Sequence, residues 1–344
     1  MPVFEHRDYD AHEQVVFINN KKAALRAIIA IHNTNRGPSL GGCRIKQYES
    51  EDAALADVLR LSRGMTYKAA IVDIELGGGK SVILHDGKPF DRKQLFEAMA
   101  EAVDKLNGAY IISNDLGTTV HDVVTMKGRT EHARGLPSSD GEQHPATAYG
   151  VYQGLKATSR SIFGSASLNN IHIAIQGIGT VGKRVARYAL AEGARLSIAD
   201  SSVAQMADLS AQDRVTVVDP NDILAIECDI LAPCAIGAVL NEDTIPLIKA
   251  KAICGAANNQ LLRSHHGDML HKRRIAYAPD YVVNAGGLIE VWKEGAWTSS
   301  EELLKACERI YDVIIGIFDE SKSEDMPSYI VANRVAEAKF RRIS

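Results

Sequence analysis

The stretch that decides the fold is IHIAIQGIGTVGKRVARYALAEGARLSIAD, residues 171–200. A β-branched run precedes the glycines, a helical pattern follows them, and a second strand pattern ends in Asp200. This is a complete βαβ dinucleotide fingerprint, with glycines for a tight turn, a helix N-terminus for phosphate charge and an acid for ribose hydroxyls. The predicted binding residues are Gly177, Ile178, Gly179, Thr180, Val181, Gly182 and Asp200.

The residues after Asp200 indicate which dinucleotide is bound. Ser201 and Ser202 follow it, and no nearby arginine or lysine is available to neutralise a 2′-phosphate. The sequence therefore favours NAD over NADP, with Ser201 included in the cofactor site.

Outward from this unit, strand and helix signals keep alternating toward the C-terminus. Strand-like runs occur at 215–218, 228–234, 251–258 and 275–279. Such alternation predicts a doubly wound parallel sheet. A helix over 147–159 precedes this region, and apolar residues at helical spacing after Ser299 predict one long helix ending at Pro327.

The N-terminal half has its own strand and helix signals. Residues 15–18 and 27–31 read as strands, and Ser50 begins a helix whose apolar face runs toward Lys68. RGPSLGG, 36–42, reads as a loop or turn, and a strand is predicted to begin at Lys80, after three glycines. The helical pattern at 91–108 and the strand pattern at 109–114 complete this half, with Asp115 just past the last strand.

Residues 64–80, GMTYKAAIVDIELGGGK, carry the chemistry of the N-terminal half. Two lysines brought into one buried site repel each other, so one of them titrates below a solvated lysine and can serve as a base. The other stays charged and can hold an anionic group. The glycine triplet predicts backbone N–H groups close to whatever Lys80 meets. Two ordinary surface lysines are the alternative, and this stretch alone leaves it open.

The chain is long enough for two domains, because 344 residues exceed one typical core. A stretch rich in Gly, Pro and Ser between Thr130 and Pro145 marks the boundary. The predicted fold is α/β, with a first domain at 1–138 that carries both lysines and a Rossmann-type NAD domain at 139–326. The C-terminal helix, 327–344, is expected to pack back on the first domain.

Composition narrows the classes of partner. A net charge of -4 with no long basic run gives no footprint for nucleic acid or an anionic membrane. The charged N-terminus lacks the apolar core of a secretory signal, and no apolar run reaches the length of a membrane span. The five scattered cysteines show no metal-ligand spacing, so no metal site is expected. These features predict a cytoplasmic protein with a small-molecule partner.

With these motifs in place, the chain resembles the amino-acid dehydrogenase family that includes leucine, valine, phenylalanine and glutamate dehydrogenases, and it is most similar to the leucine branch. The matching blocks, spread over most of the chain, are GPSLGGCR (37–44), MTYKAA (65–70), GGGKSVI (77–83), SNDLGTT (113–119), PATAYGVYQG (145–154), GIGTVG (177–182), APCAIG (232–237), GAANNQL (255–261) and PDYVVNAGGLI (279–289). Residues 127–144 look shorter and differently composed than in relatives.

The resemblance implies that 1–138 is a substrate-binding and catalytic domain, separated by a cleft from the NAD domain at 139–326. It also implies reversible oxidative deamination of an L-amino acid to a 2-oxo acid and ammonium, and a homo-oligomer, since relatives commonly form one. Lys80 is implied as the general acid/base, and Asp115 as the group that takes the substrate's amino group and shuttles protons. The implied substrate-carboxylate site is Lys68, the backbone of Gly41 and Gly42, and Asn259. The residues implied along the nicotinamide and its ribose are Thr147, Cys234, Ala235 and Asn258.

The side chain of the substrate is expected to be apolar. Leu40 stands where glutamate-specific relatives carry a lysine, and Leu288 and Val291 extend an apolar pocket. A branched-chain amino acid (leucine, also valine or isoleucine) is the first hypothesis. Ala146 and Ser113 leave room for a ring, so an aromatic L-amino-acid dehydrogenase (phenylalanine or tryptophan) is the second. A non-catalytic NAD-binding regulator is the third, which the presence of both lysines and Asp115 disfavours.

Overall fold

The computed structural model describes residues 3–136, 145–297 and 299–341. The chain divides into two compact units. Unit 1 contains the described parts of Met1–Gly141, Val291–Gly295 and Ala336–Ser344, and unit 2 those of Glu142–Glu290 and Ala296–Val335. The predicted boundary at 138/139 and residues 137–144 of the divergent segment lie outside the described residues.

Unit 1 is a five-stranded mixed sheet with helices. Its strands are β1 Gln14–Asn20, β2 Leu25–Asn33, β3 Ser39–Lys46, β4 Gly77–Leu84 and β5 Tyr110–Asn114, and its helices are α1 Glu51–Ile71, α2 Arg92–Asp104 and α3 Val120–Lys127. The strand order is β1-β2-β4-β3-β5, in which β3 runs parallel to β4 and β5. Parallel neighbours bring the ends of β3 and β5 to the same edge of the sheet.

Two predictions for unit 1 are wrong at the glycines. Residues 36–42 are not entirely a loop, because β3 begins at Ser39, and the predicted strand at Lys80 already begins at Gly77. Because glycine and proline are depleted in strands, the local sequence disfavours a strand in both segments. Pairing with the neighbouring strands overrides this preference. The predicted start of α1 is confirmed: the Ser50 Oγ accepts a 3.0 Å hydrogen bond from the backbone N–H of Ala53.

Unit 2 is built on a six-stranded, fully parallel sheet. Its strands are β6 His172–Gln176, β7 Arg195–Ala199, β8 Val215–Val217, β9 Ile230–Pro233, β10 Ala252–Ile253 and β11 Ala276–Tyr277. The strand order is β11-β10-β9-β6-β7-β8. The chain adds β7 and β8 on one side of β6, and then β9, β10 and β11 on its other side, as in Rossmann folds. The predicted fold class, two α/β domains of which the second is Rossmann-type, is confirmed.

The remaining helices are α4 Pro145–Phe163, α5 Thr180–Ala191, α6 Val203–Ser210, α7 His265–Lys272, α8 Asp280–Val283, α9 Gly286–Trp292, α10 Ser300–Cys307, α11 Arg309–Glu324 and α12 Ser328–Phe340. The single long helix predicted after Ser299 is wrong, since it divides at Glu308 into α10 and α11. Helix α4 is longer at both ends than the predicted 147–159. Within the described ranges, no helix combines the length and apolar character that a membrane span requires.

Candidate active site

Lys80 and Asp115 form a close pair in unit 1. Lys80 lies on β4 and is 6% exposed, and Asp115 follows the end of β5. The Lys80 Nζ lies 3.1 Å from the Asp115 Oδ2. The two residues that the sequence assigned to acid–base chemistry are therefore brought together, although 35 positions separate their numbers (115 minus 80).

Arg44 is a third member of this cluster, and sequence reasoning missed its contacts. Its Nε donates a 2.9 Å hydrogen bond to the same Asp115 Oδ2. A second nitrogen of the guanidinium donates to the Asp57 carboxylate on α1 at 3.0 Å. The signal available in the sequence was the GGCR block, whose arginine follows the two glycines of the implied substrate site.

The surroundings of Lys80 and Asp115 lower the pKa of each of these two groups. Burial lowers the pKa of Lys80, and the Arg44 guanidinium lowers it further, while the Asp115 carboxylate opposes both. Burial alone raises the pKa of Asp115, but Lys80 and Arg44 outweigh it, so the pKa of this carboxyl lies below its usual value. The site therefore combines an ionised carboxylate with a buried amine that gives up its proton more readily than a solvated lysine.

The three glycines before Lys80 serve packing. A Cβ on Gly78 would lie 2.1 Å from the Thr66 backbone nitrogen, so α1 rests directly on β4 at this point. All three glycines are buried within β4, as Lys80 is, and the expectation that their N–H groups lie close to what Lys80 meets stays a prediction. Lys68 lies half-buried in the last turn of α1, two residues after Thr66. The two lysines are thus carried by two elements in direct contact.

The implied substrate residues of β3 and β5 lie beside this pair. A Cβ on Gly42 would lie 2.7 Å from the Asp115 Cβ, and one on Gly41 would lie 1.8 Å from the Gly79 carbonyl oxygen. Gly42 is in register with Ser113 of β5, which is 7% exposed. Leu40 is in register with Gly78 and is 3% exposed. An apolar side chain therefore lies close to the lysine-bearing strand.

In unit 2 the glycine loop connects β6 to α5. Gly177 has φ +96°, which favours glycine, and a Cβ on it would lie 2.7 Å from the Ala235 Cβ. A Cβ on Gly182 would lie 2.0 Å from the Gly177 carbonyl oxygen, whereas one on Gly179 would meet no atom within 4 Å. Gly179 is the N-cap of α5 and, having no side chain, makes no side-chain capping hydrogen bond. The free helix N-terminus and the open space at Gly179 fit a dinucleotide pyrophosphate.

Asp200 stands at the end of β7 beside this loop. Its Oδ2 accepts a 2.7 Å hydrogen bond from the Ile178 backbone N–H, and its Oδ1 accepts one of 2.8 Å from Ser202. The carboxylate thus fixes the loop while Ser201 and Thr180 are exposed. Val181, in the first turn of α5, is half-buried.

The other predicted cofactor residues lie at the ends of neighbouring strands. The Cys234 backbone N–H donates to the Gln176 carbonyl at 2.7 Å, which places Cys234 and Ala235 against the glycine loop. Asn258 is exposed, and its Oδ1 accepts a 2.8 Å hydrogen bond from the side-chain amide of Asn284. The exposed Asn259 has φ +52°.

Four further residues of the predicted site lie on helices α4 and α9. Ala146 is buried and Thr147 half-buried at the start of α4, where a Cβ on Gly287 would lie 2.7 Å from the Thr147 Oγ1. Leu288 on α9 is 7% exposed. Val291, also on α9, is grouped with unit 1. Across the described ranges, no group of three or more His, Cys, Asp or Glu side chains has an arrangement that would hold a metal.

Comparisons with known proteins agree with this geometry. Residues 9–132 match the family model described as Glu/Leu/Phe/Val dehydrogenase, dimerisation domain, and residues 196–341 match the one described as Glutamate/Leucine/Phenylalanine/Valine dehydrogenase. A leucine dehydrogenase from Geobacillus stearothermophilus is 44% identical over 343 residues, which cover 99% of this chain and 94% of that protein.

Two further relatives carry other names. A phenylalanine dehydrogenase from Bacillus thermotolerans is 44% identical over 338 residues, 96% of this chain and 88% of that protein. The crystal structure of an L-tryptophan dehydrogenase from Nostoc punctiforme matches with a TM-score of 0.87 and 40% identity, covering 97% of each chain. The chain therefore belongs to the glutamate/leucine/phenylalanine/valine dehydrogenase family.

Proposed function

We propose that this protein catalyses the NAD-dependent, reversible oxidative deamination of a branched-chain L-amino acid to its 2-oxo acid and ammonium. The observation that carries the proposal is the buried Lys80 amine, 3.1 Å from the Asp115 carboxylate at the end of parallel strands. The leucine dehydrogenase from Geobacillus stearothermophilus, similar over nearly the whole chain, supports the substrate class.

Each residue that the motifs assign to the substrate has its own task in this reaction. Lys68 binds the substrate carboxylate with the backbone of Gly41 and Gly42 and with Asn259. Neutral Lys80 takes a proton from the water that attacks the imine carbon, because its lowered pKa leaves more of the amine uncharged. Asp115, ionised in the resting site, binds the substrate's amino group and shuttles protons. The protons that water gives up to Lys80 pass through Asp115 to the nitrogen, which leaves as ammonium when the C–N bond breaks.

Bound NAD supplies the acceptor for the hydride that leaves the substrate's Cα. We assign its pyrophosphate to residues 177–182, its adenosine ribose to Asp200 and Ser201, and its nicotinamide side to Thr147, Cys234, Ala235 and Asn258. A carboxylate at Asp200 repels a 2′-phosphate, so kcat/KM is expected to be higher with NAD than with NADP. A preference for NADP would contradict the role given to Asp200.

The substrate pocket is assigned to Leu40, Ser113, Ala146, Leu288 and Val291. Burial of Leu40 supports an apolar substrate, because a carboxylate next to it would lose its solvation without gaining a partner. The aromatic alternative, phenylalanine or tryptophan, is favoured by one observation: relatives with those names reach 40–44% identity, close to that of the leucine dehydrogenase.

A substrate panel separates these candidates. We expect kcat/KM for leucine to exceed those for phenylalanine and tryptophan, with valine and isoleucine close to leucine and glutamate lowest. One methylene changes selectivity in an apolar pocket by about 1–3 kcal/mol, so a tenfold aromatic preference would favour the alternative. A preference for glutamate would contradict the apolar pocket altogether.

We also propose that the protein is a cytoplasmic homo-oligomer. The match of residues 9–132 to a dimerisation domain supports assembly. So does the edge strand β1, whose Phe17 is 60% exposed. Sedimentation velocity is expected to give a mass that is a multiple of the single chain, and a mass of one chain would contradict assembly.

A further inference from the structure

Arg44 occupies a position between two carboxylates from different elements. On one side its Nε donates to the Asp115 Oδ2 at 2.9 Å, and on the other its terminal nitrogen donates to both oxygens of Asp57 at 3.0 and 3.3 Å. The Tyr48 hydroxyl donates to the same Asp57 at 2.8 Å. The guanidinium is thus fixed at both ends, and its side chain is only 20% exposed.

Strand order explains why this arginine reaches the catalytic pair. β3 lies between β4 and β5, and Arg44 is in register with Val82, two residues after Lys80. Asp115 follows β5, so Lys80 and Arg44 approach the same Oδ2 from two neighbouring strands. Because both cations contact the Oδ2, we assign the Oδ1 to the substrate's amino group.

We propose that Arg44, held in place by Asp57 and Tyr48, is a positioning residue that orients Asp115 and keeps a second positive charge beside Lys80. It presents the Asp115 Oδ1 to the substrate by binding the Oδ2. The inference rests on the proposed function, because it takes Lys80 as the base.

The charged groups around Lys80 determine the sign of the effect. Asp115 and Arg44 act on Lys80 directly, and the Cys43 thiol, whose pKa burial raises to about 12, stays neutral. Helix α1 contributes Asp57 beyond Arg44, and also Lys68. The Arg44 charge lowers the pKa of Lys80, so its removal raises that pKa. The acid limb of the pH profile, where kcat/KM falls as Lys80 takes up a proton, therefore moves to higher pH.

The test is a set of kcat/KM profiles against pH for Arg44→Met, Arg44→Lys and Asp57→Asn. Arg44→Met is expected to move the acid limb upward by about one pH unit and to lower kcat/KM at neutral pH at least about tenfold. Arg44→Lys keeps the positive charge, so the acid limb is expected to stay at the same pH. Its kcat is expected to fall, because an ammonium group does not reproduce the planar guanidinium that binds two carboxylates. Asp57→Asn removes a negative charge and is expected to move the limb slightly downward.

Arg92→Met is the matched control. Arg92 forms a two-point pair with Asp122 in the same unit, with both distances 2.7 Å, and it contacts neither Lys80 nor Asp115. This variant is expected to lose stability without moving the acid limb. If Arg44→Met does not fold, the other two variants test the inference. It then requires the acid limb of Asp57→Asn to lie at lower pH than that of the unmodified protein, and that of Arg44→Lys to lie at the same pH.

The inference is overturned if the acid limbs of Arg44→Met and Asp57→Asn coincide with that of the unmodified protein. That outcome leaves the proposed function standing, provided that Lys80→Ala is inactive. If Lys80→Ala retains turnover, the assignment of Lys80 as the base fails, and if the unmodified protein deaminates no amino acid of the substrate panel, the proposed function fails, so these failures are told apart from that of the Arg44 inference.

Discussion

Gly78 and Gly179 are the same residue type in two opposite settings. A Cβ on Gly78 would lie 2.1 Å from the Thr66 nitrogen, whereas one on Gly179 would meet no atom within 4 Å. The first glycine lets a helix rest on the strand that carries Lys80. The second leaves open space at the N-terminus of α5, which we assign to the pyrophosphate of NAD. Glycines near a functional motif therefore indicate close approach, and the structure decides whether protein or ligand makes that approach.

The same contrast holds for the carboxylates at the strand ends. Asp115 after β5 contacts two cationic side chains, whereas Asp200 after β7 accepts from two backbone N–H groups. The carboxylate in unit 1 is thus held by side-chain charge, beside the contact between α1 and β4. The carboxylate in unit 2 is held by backbone groups of a loop.

The largest expected effect comes from exchanging these two carboxylates for amides. Asp115→Asn is expected to lower kcat by roughly 10²–10⁴, because an acid–base partner is lost, with KM for NAD unchanged. Asp200→Asn is expected to raise KM for NAD and leave the chemical step intact. Steady-state kinetics with both substrates varied checks the pair, and a similar loss of kcat in both variants would remove the distinction between the units.

The two glycines give the next effect. Gly78→Ala forces α1 away from β4 and is expected to lower the free energy of unfolding by about 1–3 kcal/mol. Gly179→Ala is expected to leave stability unchanged and to weaken NAD binding, because its methyl group enters the space assigned to the pyrophosphate. Urea unfolding and NAD titration of both variants check this. Equal stability losses would show that the loop is packed as tightly as the strand.

Acid is expected to lower the free energy of unfolding through a histidine at the contact between α1 and β4. The His32 Nδ1 lies 2.7 Å from the Oγ1 of Thr66, the residue that packs on Gly78. Burial, with the neighbouring His12, lowers the pKa of His32 to about 4, while Asp10 opposes this and Arg63 adds to it. The unfolded chain therefore takes up this proton at a higher pH than the folded chain does, so stability is complete above the ordinary pKa of histidine and falls between there and about 4.

Titration of His32 is expected to change the free energy of unfolding by at most about 1.4 kcal/mol per pH unit. Urea unfolding at pH 7, 6 and 5 measures it. His32→Gln is less stable at neutral pH but is expected to show a shallower dependence on pH. An identical slope in the variant would assign the acid sensitivity to other groups.

The smallest expected effect concerns the last turn of α12, which packs on the back of α1. The Tyr67 hydroxyl donates to Glu337, and the Lys339 Nζ donates to the Ile71 carbonyl at 3.1 Å. Tyr67→Phe is expected to cost about 0.5–1.5 kcal/mol and to speed hydrogen exchange in α1 but not in α5. Tyr329→Phe, which removes a 3.0 Å bond to Asp268 in unit 2, is the matched control. Faster exchange in α5 with Tyr67→Phe would contradict a local effect.

Sequence reasoning succeeded where the information was local. Residues 171–200 contain their strand, turn, helix and acid in one run, so the pattern fixed both the fold of that segment and the place of Asp200. It failed at β3, where Pro38 and two glycines masked a strand that pairing with β4 and β5 stabilises. The break at Glu308 has no proline or glycine to announce it.

The candidate site divides in the same way. Lys80 and Asp115 were assigned through their motifs, and the structure brings them together. The contact between Arg44 and Asp115 joins residues 71 positions apart, and it depends on a strand order in which β3 separates β4 from β5. No local pattern specifies that order, so the arginine was visible in the sequence but its partner was not.

The most direct test of the account is single-turnover deamination of leucine by Lys80→Ala, measured together with its affinity for NAD. The account predicts that turnover falls by at least about two orders of magnitude, since the buried amine is the base, while NAD binds as tightly as before. Unchanged turnover would contradict the assignment of Lys80, and with it the proposed chemistry of the site.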